Sequence, residues 1–208
     1  TADRFVSALA PKVRALKIGQ YDEPGVEMGP VITRESKERV TDYINQGEAD
    51  GATVVVDGRG LSLQGYEDGF FVGGTLLDHV TADMSVYRDE IFGPVLSVLR
   101  PKTYEEAVNL VMTHEYGNGT AIFTRDGDAA REFANNVNVG MVGVNVPIPV
   151  PVAYHSFGGW KASMFGDHSI HGMEGVRFYT KLKTVTARWP SGIKDGAVFN
   201  FHSGSETK

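Results

Sequence analysis

The sequence has 208 residues, 41% of them hydrophobic, with a net charge of −6 at pH 7. This length suits one domain, or one domain with an appendage, and no apolar run approaches the length of a membrane span. The acidic balance without a basic block argues against nucleic acid and membrane surfaces as partners.

The chain contains no cysteine. This excludes disulfides, and it excludes a thiolate nucleophile or thiolate metal ligand within these residues. Because disulfides are rare in the cytosol, the absence fits a cytoplasmic protein, which is the location we expect.

The first third of the chain predicts two helices and a short strand. Apolar residues at helical spacing predict a first helix with Asp3 as N-cap and a kink or early break at Pro11. A second helix begins after Thr33 as N-cap and stops at Gly51. Residues 53–56 predict a strand, and residues 69–77 are rich in strand formers.

Strands and helices alternate between residues 95 and 146. Strands are predicted at 95–99, 120–124 and 141–146. Thr103, with Glu106 in a capping box, begins one intervening helix, and Asp126 caps the other. This order predicts two right-handed βαβ units and a mostly parallel sheet flanked by helices, so the fold class is α/β.

A turn at residues 89–95 opens into the first of these strands and carries a candidate ligand site. Glu90 offers a carboxylate of the kind that accepts hydrogen bonds from ribose hydroxyls, and the ring of Phe92 offers a flat wall for a cofactor head. Gly93 and Pro94 are expected to supply the unusual backbone of the turn.

The last third of the sequence changes character. Proline at positions 147, 149 and 151 prevents residues 146–151 from joining a central strand. Asn145 is expected to end its strand, with bonding to backbone as one reading of its side chain. Residues 177–189 alternate as a long strand without an evident partner, so we expect that strand to pair with another subunit. Residues 202–208 are polar and are expected to fray.

The segment from Glu90 to Val95 resembles the Glu-Ile/Leu-Phe-Gly-Pro-Val signature of the aldehyde dehydrogenase superfamily. The resemblance extends over most of the chain, through residues 28–32, 116–123, 140–145, 157–161 and 178–186. It implies that Glu90 holds the nicotinamide ribose of NAD, that Phe92 lies near the nicotinamide, and that Phe157 lines the aldehyde pocket. It also implies an aldehyde-dehydrogenase-like catalytic domain over residues 1–175, an oligomerisation strand over 176–190 and a tail over 191–208.

One branch of the superfamily fits better than the others. Residues 118–124, 143–151 and 155–161 look like methylmalonate-semialdehyde dehydrogenases, and Ser156, Met164, Asp167 and His168 depart from the common superfamily pattern. The resemblance implies an NAD-dependent enzyme that oxidises malonate or methylmalonate semialdehyde and, after decarboxylation, passes the acyl group to coenzyme A, giving acetyl- or propionyl-CoA. A homo-oligomer, dimer or tetramer, is expected through residues 177–189.

Two elements of that chemistry are missing from the sequence. The nucleophilic cysteine of the superfamily is absent, and no G-x-G-x-x-G loop is present. We therefore expect the sequence to be the downstream part of a longer enzyme and to be inactive alone, with no catalytic residue of its own. His168 and His171 lack further ligands around them, so no metal site is predicted. The alternatives are a CoA-independent semialdehyde dehydrogenase and a non-catalytic assembly module.

Overall fold

The computed structural model describes residues 1–189 and has an α/β architecture. The helices are α1 (Ala2–Arg14), α2 (Arg34–Ala49), α3 (Ser85–Arg88), α4 (Tyr104–Thr113), α5 (Gly127–Asn136) and α6 (Gly172–Tyr179). The strands are β1 (Thr53–Val56), β2 (Thr75–Asp78), β3 (Val95–Ser97), β4 (Tyr116–Gly117), β5 (Gly119–Ile122), β6 (Met141–Val144) and β7 (Trp160–Lys161). The predicted tail, 191–208, lies outside the described residues, as does residue 190.

Three predicted helix starts are confirmed by side-chain caps. The hydroxyl of Thr33 accepts a hydrogen bond from the backbone N–H of Ser36, at 3.1 Å. Thr103 does the same for the N–H of Glu106, whose carboxylate in turn accepts from the N–H of Lys102. Asp126 accepts from two N–H groups of α5. Each cap satisfies donors that a helix leaves without an intrahelical partner.

For α1 the predicted N-cap was wrong, and of the two outcomes expected at Pro11, a kink or an early break, the break does not occur. Thr1, not Asp3, occupies the N-cap position, and the helix continues through Pro11 to Arg14 instead of breaking. Burial of Val6 and Ala10 against Val56 and Leu76 favours the continuous helix over the local cost of proline.

The strands form one three-stranded sheet and two pairs. In the first sheet β2 lies centrally, antiparallel to β1 and parallel to β3. The β5–α5–β6 unit is a parallel pair, as predicted, and β4 pairs with β7 antiparallel. The other predicted unit is wrong for residues 1–189, because β3 and β5 belong to different sheets. Leu99, Pro101 and residues 118–120 instead line a largely apolar cavity of about 470 Å³, and Pro101 has no N–H for a ladder.

The core surrounds β2, whose four residues are all buried. On one side Leu77 packs with Val40 and Ile44 of α2, and on the other Leu76 packs with α1. A separate cluster around Phe133 joins α5 to α4. The α2 side of the core lies directly beneath the turn that carries Glu90, because Ile91 belongs to the same cluster.

The predicted strand at residues 177–189 begins too early. Residues up to Tyr179 complete α6, and residues 180–189 form no strand within the part of the chain that the structure describes. The backbone hydrogen bonds of α6 are local, whereas a strand there would need a partner strand. Pairing of residues 180–189 with another subunit stays a prediction. No helix among residues 1–189 has the length and hydropathy needed to cross a membrane.

A buried ion pair closes the carboxyl end of β2. Arg100 donates to both oxygens of Asp78, Nε to Oδ1 at 2.9 Å and Nη2 to Oδ2 at 2.6 Å. The Asp78 side chain is 5% exposed and that of Arg100 is 26% exposed. The hydrogen bonds from Arg100 hold the pKa of Asp78 below its ordinary value.

Substitution of this carboxylate tests the ion pair. We expect Asp78→Asn to lower the free energy of unfolding by about 2 to 3 kcal/mol at pH 7, less than for a fully buried pair because Arg100 reaches solvent and keeps Asp3. Since the folded-state pKa is lowered, the stabilisation is present above the unfolded pKa of about 3.9 and is lost as the pH falls through the folded pKa. Urea unfolding between pH 7 and 3 should therefore show the two proteins converging at low pH. Asp128→Asn, which breaks the exposed pair with Arg131, is the control and should change little.

Candidate functional site

The turn that carries Glu90 is fixed by backbone hydrogen bonds on both sides. The N–H of Asp89 donates to Ser85 at 2.9 Å and ends α3. The carbonyl of Pro94 accepts from the N–H of Thr75 at 2.8 Å, which ties the turn to β2. Between them the side chain of Ile91 is buried in the core. The turn is therefore held at both ends and in its middle.

Helix α2 holds the turn from outside. A Cβ on Gly93 would lie 2.5 Å from a methyl group of Val40, so the backbone approaches α2 as closely as only glycine allows. The hydroxyl of Tyr43 donates to Asp89 at 3.1 Å, and burial together with this bond raises the pKa of Tyr43. Arg39 donates to the backbone carbonyl of Glu90. Of the two adjacent acidic residues, Asp89 therefore has a structural role: it binds the turn to α2.

Glu90 differs from its neighbour. Its side chain is exposed, and within residues 1–189 its carboxylate makes no hydrogen bond or ion pair. A carboxylate in this state keeps both oxygens available as acceptors. The turn therefore presents an unpaired acid on a rigid support.

Phe92 adopts a backbone conformation that is unusual for its residue type. Its φ is +54°, in the left-handed region, and its side chain is 73% exposed. The sequence-based expectation that Gly93 and Pro94 supply the unusual backbone was wrong in this respect, because Gly93 is needed for its close approach to Val40. A left-handed aromatic residue costs about 1 to 3 kcal/mol and is a feature found at binding sites.

A second group of residues surrounds Phe157. The ring of Phe157 is half-buried and stacks on the imidazole of His171, with centroids 4.5 Å apart and planes 8° from parallel. A Cβ on Gly140 would lie 1.7 Å from the carbonyl oxygen of Gly158. Gly140 in turn donates its N–H to Gly117 at 2.9 Å. Three segments that are far apart in sequence, around residues 117, 140 and 158, thus meet at backbone distance.

Lys161 completes this second group and was missed in the sequence. Its Nζ donates to the carbonyls of Val111, Met112 and His114 at 2.9 to 3.1 Å. Its φ of +53° is again left-handed. No local signal identifies such a residue, because its acceptors lie about fifty positions earlier in the chain and are backbone atoms.

The two groups of residues share one anchor, the carboxyl end of α4. Tyr87, three residues before Glu90, donates its hydroxyl to the carbonyl of Leu110 at 3.0 Å, and the imidazole of His114 bonds the carbonyl of Tyr87 at 3.0 Å. Lys161 binds the same helix end. No hydrogen bond, ion pair or ring contact joins Glu90 directly to Phe157 in the described part of the chain.

Asn145 plays the structural role that was considered for it. Its side-chain amide accepts from the N–H of Thr124 and donates to the carbonyl of the same residue, at 2.9 and 3.0 Å. This pair of bonds extends the β5–β6 pairing by one residue beyond the strands.

The histidines after residue 167 are engaged with other side chains. His168 pairs with Glu174, which also pairs with Arg177, while His171 stacks on Phe157. Over residues 1–189 no group of three or more His, Asp or Glu side chains is arranged to hold a metal ion.

Comparison with known proteins relates this chain to a family of dehydrogenases. The sequence profile described as the aldehyde dehydrogenase family matches residues 1–185. The malonate-semialdehyde dehydrogenase of Pseudomonas aeruginosa is 58% identical over 189 residues, which cover 91% of this chain and 38% of the relative. The mitochondrial acylating methylmalonate-semialdehyde/malonate-semialdehyde dehydrogenase of Bos taurus is 46% identical over 90% of this chain and 35% of its own length.

Solved structures agree with these sequence relationships. A protein of Sinorhizobium meliloti 1021, assigned as a methylmalonate-semialdehyde dehydrogenase and crystallised with NAD, superposes with a TM-score of 0.90 at 60% identity, over 93% of this chain and 40% of that one. The methylmalonate-semialdehyde dehydrogenase of Oceanimonas doudoroffii gives a TM-score of 0.88 at 58% identity, over 91% and 39%. The chain therefore spans about two fifths of the length of these relatives.

The contact between Gly140 and Gly158 leads to a prediction. We expect Gly140→Ala to lower the free energy of unfolding by about 3 kcal/mol, because a methyl group 1.7 Å from a backbone oxygen forces the two segments apart. Gly127→Ala is the matched control: a Cβ there meets no atom within 4 Å, and we expect it to stabilise by about 0.5 kcal/mol. Equal unfolding midpoints for the two variants in urea would contradict the close approach.

Proposed function

This chain belongs to the aldehyde dehydrogenase family, and from that membership we propose that it is part of an NAD-dependent, CoA-acylating methylmalonate- or malonate-semialdehyde dehydrogenase. The similarity to named semialdehyde dehydrogenases over nine tenths of the chain supports the substrate class. The observation that carries the proposal is the unpaired carboxylate of Glu90 on its rigid turn.

In this proposal Glu90 holds the nicotinamide ribose of NAD. The chemistry fits, because an acceptor-only side chain with both oxygens available can take hydrogen bonds from two neighbouring hydroxyls. The backbone that carries Glu90 is also held in place, since α2, β2 and α3 each contact it. Bound NAD supplies the acceptor for the hydride, and the chain's own residues orient it.

Phe92 and Phe157 are the proposed apolar surfaces of the site. The exposed ring of Phe92 lies two residues from Glu90 and would pack near the nicotinamide. Phe157, supported from behind by His171, would line the aldehyde pocket. Neither residue exchanges protons, so their contribution is position and the exclusion of water.

The nucleophile of the proposed enzyme lies outside this sequence. The family reaction needs an activated thiolate that attacks the aldehyde carbon, and these residues include no cysteine. We propose that the described residues bind and orient cofactor and aldehyde, and that the 208-residue chain alone does not reduce NAD. Assembly through residues 180–189, the part of the predicted strand that α6 does not include, and a cytoplasmic location remain predictions.

The role of Glu90 can be tested in the full-length enzyme. We expect Glu90→Gln to raise the KM for NAD about tenfold, or to slow hydride transfer by a similar factor, as follows from weakening one charged hydrogen bond. Steady-state kinetics measures the first effect and single-turnover NADH formation the second. Glu132→Gln, which changes an exposed glutamate on α5, is the control. If KM and hydride transfer are both unchanged in Glu90→Gln, the ribose assignment is wrong.

The acyl acceptor separates the proposed enzyme from its CoA-independent alternative. We expect the full-length enzyme, supplied with malonate semialdehyde and NAD, to need CoA for sustained turnover and to release CO2 and acetyl-CoA. The malonyl group on the thiolate loses its carboxylate as CO2, and the remaining acetyl group must be transferred to the CoA thiol before another cycle begins. NADH formation and acetyl-CoA, measured with and without CoA, test this. Equal rates without CoA, with free acid as the product, would favour the alternative.

A further inference from the structure

Lys161 is placed where a positive charge satisfies a helix end. The last four carbonyls of a helix have no intrahelical partner, and the aligned peptide dipoles leave partial negative charge there. Lys161 donates to three carbonyls at the carboxyl end of α4, those of Val111, Met112 and His114. The ammonium has three N–H donors, so the contacts use all of them.

This arrangement is built by the surrounding backbone. β7 pairs with β4, with Lys161 opposite Tyr116 and Trp160 opposite Gly117. A Cβ on Gly117 would lie 3.2 Å from the Lys161 stem, so glycine there leaves space for the side chain. Lys161 has a left-handed φ of +53°, a backbone conformation that costs free energy for a residue other than glycine.

The position of Lys161 connects this helix end to the proposed aldehyde pocket. Phe157 precedes it by four residues, and the two are joined by a segment in which Gly158 contacts Gly140 and Gly159 is buried. With its far end tied to α4, this segment has little freedom to move the Phe157 ring. Loss of the lysine contacts would leave that end of the segment held by the β4–β7 pairing without its tie to α4.

We infer that Lys161 is a positioning residue of the proposed dehydrogenase, which sets the aldehyde-facing ring of Phe157 by fixing its segment to the carboxyl end of α4. The inference rests on the proposed function, since it needs Phe157 to contact the aldehyde. Lys161 itself does not contact substrate in this arrangement. It acts through Phe157.

The test uses the full-length enzyme with Lys161→Met, which keeps the length of the stem and removes the charge. We expect the KM for malonate semialdehyde to rise about tenfold while the KM for NAD stays within about twofold, because only the aldehyde side of the site loses its support. Lys161→Arg, which keeps the charge and several donors, should recover most of the loss. Lys37→Met is the matched control, since Lys37 also donates to a backbone carbonyl, that of Gly69, from a half-buried position.

A double-mutant cycle with Phe157→Ala separates positioning from simple stabilisation. If Lys161 acts through Phe157, Lys161→Met should add little to the semialdehyde KM of Phe157→Ala. Additive effects, or equal changes in both KM values, would overturn the inference. If Lys161→Met does not fold, Lys161→Gln is measured by the same criteria.

The outcomes distinguish this inference from the function on which it rests. Absence of semialdehyde oxidation by the full-length enzyme, or an unchanged semialdehyde KM in Phe157→Ala, would remove the proposed function or its pocket, and the inference with it. A raised KM in Phe157→Ala together with an unchanged KM in Lys161→Met would overturn the inference alone.

Discussion

The carboxyl end of α4 is the constraint on which both halves of the candidate site depend. The last carbonyls of a helix lack intrahelical partners, and here four at the end of α4 accept from side chains of two distant segments. Tyr87 donates to Leu110, and Lys161 donates to Val111, Met112 and His114. One segment leads into the turn of Glu90 and the other follows Phe157. The same backbone requirement therefore sets the positions of the proposed cofactor and aldehyde residues.

Close backbone approach makes these connections rigid. Gly93 against Val40, and Gly140 against Gly158, bring chain segments closer than any side chain would permit. At Gly140 and Gly158 main-chain atoms of both segments touch, so no rotation of a side chain can relieve the contact; at Gly93 the main chain touches the fully buried side chain of Val40, which is packed in the core. The side chains of Glu90 and Phe92 are exposed, and their positions are thus set by the rigid backbone of the turn and not by packing of the side chains themselves.

Local chemistry in the sequence was sufficient for the starts of α2, α4 and α5 and for the position of the turn, but not for the start of α1, for the residue that carries the turn's unusual backbone, or for long-range pairing. Thr33, Thr103 and Asp126 cap helices through atoms two or three residues away, so the sequence predicts them well. The separation of β3 from β5 depends on which strands find partners, and spacing alone does not encode that. Likewise residues 177–179 belong to α6 and not to the predicted strand, because a short stretch of sequence fits the helix repeat and the strand repeat equally well when no partner strand is known.

The Glu90 motif was found because its residues are contiguous. Lys161 was missed because its acceptors are carbonyls that every residue possesses.

The segment after Asn145 exposes several apolar side chains. Val146, Ile148, Val150 and Val152 are each about half exposed or more, and the intervening prolines keep this segment out of a central strand. In the proposed enzyme the described residues account for about two fifths of the length of the relatives. An aldehyde pocket shared with the remaining chain would require apolar surface, because the thiolate must meet the aldehyde away from bulk water. We propose that these exposed apolar residues face the part of the enzyme that carries the reactive sulfur.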